Sequence, residues 1–98
     1  MTHQELIIEE PRRFYSNLDE KHFFDWLQEI PAVKSVVGGV NGLTVKLETP
    51  IKDPDLRDLI AVLTRYGVNR KCLAVLLNDS NQAWFADPQK YWHSAVFE

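Results

Sequence analysis

The chain has 98 residues, 45% hydrophobic and 26% charged, with 4 Gly and 5 Pro; this mix excludes a disordered or fibrous chain and points to one domain, residues 1–98, around one core. A formal net charge of -3 argues against nucleic acid as partner and suits a basic protein. Cys72, the lone cysteine, permits no intrachain disulfide, so a reducing compartment is expected.

Glu5, Glu9 and Glu10 break up the N-terminal apolar residues, unlike a signal peptide. No segment approaches the about 20 apolar residues of a membrane span. A cytoplasmic protein with no membrane partner is the expectation. "QELIIEE" reads as a strand ending before Pro11. In "SNLDEKHFFDWLQEIP" Asn17 stands three residues before Glu20, a capping-box spacing, and Phe23, Leu27 and Ile30 recur at helical intervals up to Pro31. A helix is predicted from about Leu18 to Glu29. Asn41-Gly42 between apolar runs predicts a type I′ hairpin in which Val40 faces Leu43, Gly38 faces Val45 and Val36 faces Leu47. Gly38, without a side chain, would let a helix come close.

"KDPDLRDLIAVLTRYG" predicts a second helix with Asp53 as cap, Pro54 in the first turn, a stripe of Leu56, Leu59, Ile60 and Leu63, and Gly67 as stop. "CLAVLL" lacks alternation; it is a doubly covered strand or a short buried helix, and its length favours the strand. "NDSN" supplies a turn from which "QAWF" returns as an antiparallel strand, and Asp87-Pro88 opens a short helix with Trp92 and Val96 on one side. The order predicts an α+β fold: an antiparallel sheet with two helices on one face, in the split βαβ (ferredoxin-like) order, plus a C-terminal hairpin and short helix.

Reactive side chains do not assemble into a catalytic pattern. His3, His22 and His93 include no pair four apart on one helix, and Cys72 sits among apolar neighbours, so neither metal nor cofactor is expected and the thiol reads as a buried structural one. His93-Ser94 resembles half of a hydrolase triad, but adjacent helical residues point in different directions. Gly38-Gly39 lacks the rest of a phosphate-loop pattern. Split βαβ domains that bind RNA use aromatic residues on central strands, and "ELIIEE" and "LTVKLET" carry none. The function expected is therefore non-enzymatic.

What remains is a tail rich in aromatics. Trp84, Phe85, Tyr91 and Trp92 either close a small core or form an exposed aromatic hot spot ringed by acids. "LIAVLTRYGV" and "LAVLLNDSNQAWFADPQKYWHSAVFE", through Arg65-Tyr66, Trp84-Phe85, Tyr91-Trp92 and Val96-Phe97, resemble the small immunity proteins of bacterial contact-dependent (polymorphic) toxin systems. That resemblance implies a cytoplasmic protein that binds one cognate toxin domain and blocks its active site. From charge and aromatic content, the candidate partner-binding residues are Asp19, Glu20, Asp55, Asp58, Trp84, Tyr91 and Trp92. The alternatives are a small-metabolite-binding regulatory domain and a module that pairs through its own sheet edge.

Overall fold

The computed structural model describes Thr2–Glu98. Strands β1 (Thr2–Ile8), β2 (Val33–Gly39) and β3 (Gly42–Thr49) form an antiparallel sheet in the order β1-β3-β2. Alternation along β3 turns Leu43, Val45 and Leu47 into the core. Their partners on β1, Ile8 opposite Leu43 and Leu6 opposite Val45, are buried with them.

The hairpin forms, but not in the expected register. Gly39 pairs with Gly42 and Val36 with Val45, so the loop residues are Val40 and Asn41. Among the described residues no non-glycine residue has positive φ, which a type I′ turn at Asn41 would require. Gly42 instead takes φ 122° at the start of β3, where an added Cβ would lie 2.5 Å from the carbonyl oxygen of Ile8. The close passage of β1 thus draws Gly42 out of the turn and into the sheet. The pairing moves by two residues, an even step, so Val36, Leu43, Val45 and Leu47 keep a common side while Val40 is left fully exposed. Nothing would meet a Cβ on Gly38 within 4 Å, so no helix approaches there.

Helix α1 (Asn17–Glu29) is capped by Ser16, one residue earlier than the sequence spacing indicates. Ser16 Oγ accepts from the Asp19 N–H at 3.1 Å, and Asp19 Oδ2 accepts from the Tyr15 N–H at 3.0 Å, a reciprocal lock close to a capping box. Phe23, Leu27 and Ile30 are buried as their spacing requires, and Phe24 and Trp26 on the flanks are half-buried. Helix α2 (Asp53–Arg65) starts from Lys52 without a side-chain cap; Asp53 and Asp55 lie in its first turn, where carboxylates favour the positive end of the helix dipole. It buries Leu56, Leu59, Ile60, Val62 and Leu63. Gly67, at φ 67°, closes it: the Val68 N–H bonds the Leu63 carbonyl at 2.9 Å and the Gly67 N–H that of Thr64 at 3.2 Å, the two bonds of a Schellman motif.

Beyond α2 the chain is helical where strands were expected. All of "CLAVLL" but its last residue, Leu77, lies in a 3-10 helix, Lys71–Leu76, packed against β1. Leu73 and Leu76, three residues apart, point the same way and are buried, which suits three residues per turn and needs only six residues. "QAWF" is helix α3 (Gln82–Phe85), so there is no C-terminal hairpin and the sheet stops at three strands. The intervening turn is present. Asn78 and Asn81 each accept the other's backbone N–H at 2.9 Å, and the buried Asn81 amide donates to the Leu76 carbonyl at 2.9 Å. That lock folds the segment into a helical turn and leaves it no extended partner to pair with. The last helix, α4 (His93–Phe97), begins later than Asp87-Pro88 would have it, because Asp87 Oδ1 caps a local turn by accepting from the Gln89 N–H. Trp92 and Val96 are both buried, on one side as their spacing indicates.

Candidate protein-binding surface

The C-terminal aromatics form a graded ladder from core to solvent. Phe85 is fully buried and meets Phe97 with centroids 5.0 Å apart. Trp92 is 6% exposed, and its indole Nε1–H donates to the Phe85 carbonyl at 2.8 Å, satisfying the free C-terminal carbonyl of α3. Trp84 stands nearly perpendicular to Trp92 at 5.9 Å, and Tyr91 does so on another side at 5.0 Å. Arg57 of α2 lays its guanidinium 4.1 Å over the Trp84 ring. Such a stack contributes about 0.5–1 kcal/mol at an exposed site. Tyr91, 64% exposed, is the outer end. The surface therefore offers Arg, Trp and Tyr side by side, the three residue types richest in binding hot spots, on a rigid base.

No protein-family model, curated protein or solved structure matches this chain.

The structure divides the seven candidate residues among separate places. Trp84, Trp92 and Tyr91 belong to the ladder, with Trp92 committed to the core. Asp58 is exposed on α2 next in sequence to Arg57. Asp55, 8% exposed, turns instead into a cleft of about 510 Å³ lined by Pro31, Lys34, Glu48, Pro50 and Lys52. Lys34 pairs with Glu48 there at 2.9 Å, and that hydrogen bond holds the Glu48 carboxyl below its usual range. Asp19 is half-buried at the α1 start, spent on the Tyr15 N–H, and Glu20 is exposed beside it.

Two features of the structure were not read from the sequence. Arg57 is the ladder's fourth member, and no local signal joins it to Trp84, since the contact crosses from α2 to α3. The other is a cleft of about 540 Å³ lined by Arg12, Arg13, Tyr15, Asp19, Arg65 and Tyr66. "PRRFY" was the available signal: two arginines beside two aromatics.

Other reactive groups are tied down. His93 Nδ1 lies 3.3 Å from Glu98 Oε2, and the Ser94 hydroxyl donates to the same oxygen at 3.3 Å. The imidazole thus faces a carboxylate and not the hydroxyl it would have to activate. Burial pushes the half-buried Cys72 thiol above its ordinary value, keeping it protonated and a poor nucleophile at neutral pH. Among the described residues no three His, Cys, Asp or Glu cluster as a metal site would need, and no helix is long and apolar enough to cross a membrane.

Proposed function

We propose that this chain is a non-enzymatic protein-binding domain, an immunity protein that captures a cognate toxin domain of basic, nuclease type. The observation that carries the reading is the ladder of Arg57, Trp84, Trp92 and Tyr91, which runs without a break from a buried anchor to an exposed tyrosine. An anchored aromatic loses little entropy when a partner covers it, so most of its contact area converts to affinity. The net charge of -3 speeds encounter with a cationic surface. The order β1-β3-β2 supports an origin in the split βαβ arrangement, with the 3-10 helix against β1 in place of a fourth strand. The test is to mix the purified chain with the toxin domain encoded beside it at low salt. A stoichiometric complex and loss of nuclease activity are expected; nuclease activity unchanged by excess of this chain would remove the reading.

A further inference from the structure

On a chain that is acidic overall, five of the eleven Lys and Arg residues gather around two adjoining clefts. Arg12, Arg13 and Arg65 line the first, and Arg12 also lines the second together with Arg70 and Lys71. Fewer acids than arginines line the first cleft, which holds the single carboxylate of Asp19. Asp19 accepts from the Tyr15 N–H, and Glu9 and Glu10 line only the second cleft. Among the described residues none of Arg12, Arg13 and Arg65 takes part in an ion pair. Three guanidinium groups line the cleft against one carboxylate, that of Asp19, so the cleft keeps an excess of positive charge that a bound anion would offset.

The cleft also has ring walls. Tyr66 is fixed: its edge meets Phe23 at 5.0 Å and Phe14 at 6.3 Å, and its hydroxyl donates to the Asp19 carbonyl at 3.5 Å. Tyr15 is 84% exposed, and Arg13 lies 5.8 Å above its ring. Planar guanidinium forks match phosphate oxygens two at a time, and an exposed tyrosine offers a stacking face for a planar base. A volume of about 540 Å³ lies within the range of roughly 300–1,000 Å³ typical of small-ligand sites.

We propose that this cleft binds a nucleotide, its phosphate between Arg12, Arg13 and Arg65 and its base against Tyr15. The nucleotide is either free or one unit of a single strand. A carboxylate peptide would use the charges but not the ring. The site lies off the sheet, so the lack of aromatics on the strands does not bear on it.

The test is fluorescence anisotropy with a labelled ten-nucleotide oligouridylate at 50 mM salt, with uridine monophosphate and oligoglutamate as competitors. One phosphate held between the arginines gives a slope of about -0.7 in log affinity against log salt, so binding should weaken about 2.5-fold between 50 and 200 mM. Arg65→Gln should weaken it about tenfold and flatten the slope, and Tyr15→Ala should weaken it at an unchanged slope. Lys90→Gln, at an exposed lysine outside both clefts, should change nothing. Displacement by uridine monophosphate identifies a single-nucleotide site, and resistance to it identifies strand binding. No binding at 50 mM, binding unchanged in a folded Arg12→Gln/Arg65→Gln variant, or displacement by oligoglutamate as effective as by nucleotide would each overturn the proposal.

Discussion

Replacing Trp92 by Phe should destabilise the fold far more than the same change at Trp84, although both are tryptophans of one cluster. The Phe85 carbonyl, at the end of α3, receives its hydrogen bond from Trp92 Nε1 at 2.8 Å, and the indole is 6% exposed. A buried acceptor left without its donor costs about 1–3 kcal/mol. Phe also fails to fill the space of the indole's second ring, a loss of about 1 kcal/mol more. Together these give about 2–4 kcal/mol, or about 8–30 °C in melting temperature for a domain of this length. Trp84 is the control because its Nε1 is buried with no hydrogen-bond partner, so Phe there removes an unpaired donor and loses packing and part of the Arg57 stack. Urea unfolding followed by circular dichroism measures both variants. Equal losses at the two positions, or a loss under about 0.5 kcal/mol at Trp92, would refute the capping role.

Three further outcomes follow from the same structure. Gly42→Ala places a Cβ 2.5 Å from the Ile8 carbonyl oxygen at φ 122°, and should cost at least about 2 kcal/mol in urea unfolding, whereas Gly38→Ala, with nothing within 4 Å, should cost less than about 1. Burial raises the Cys72 thiol above its ordinary 9.0 and the Tyr66 hydroxyl above its ordinary 10.0, so their neutral forms favour the fold. The stability they contribute is complete below those ordinary values and lost as pH rises through the folded-state ones; the melting temperature should fall above about pH 9, less steeply in Cys72→Ala. Tyr91→Ala should leave the melting temperature within about 2 °C, since the ring is 64% exposed, as a thermal scan will show.

What could be read from the sequence was what local chemistry decides. Both long helices were legible because first-turn acids and a period of 3.6 agree in "SNLDEKHFFDWLQEI" and "DPDLRDLIAVLTRYG", although the cap falls on Ser16 in the first and no side chain caps the second. The hairpin was legible as an element but not in register, because Gly42 is claimed by Ile8 on a strand more than thirty residues earlier. "CLAVLL" carries no period that separates a covered strand from a 3-10 turn; its outcome is set by how Leu73 and Leu76 fit beside β1. "QAWF" became helical through the Asn78–Asn81 lock, which a string of turn-forming residues does not reveal. The aromatic residues of the candidate surface were legible and their order of burial was not. Arg12, Arg13 and Arg65 come together only when α2 is packed beside the segment after β1, so a net charge of -3 concealed a basic cleft.

The most direct measurement is calorimetric titration of the adjacent-gene toxin domain into the wild-type chain and into Tyr91→Ala. The account predicts a one-to-one complex whose dissociation constant rises about 30-fold in the variant, the loss of about 2 kcal/mol expected of a hot-spot tyrosine. Wild-type binding that the variant matches within twofold, or no heat of binding to the wild type at all, would contradict it.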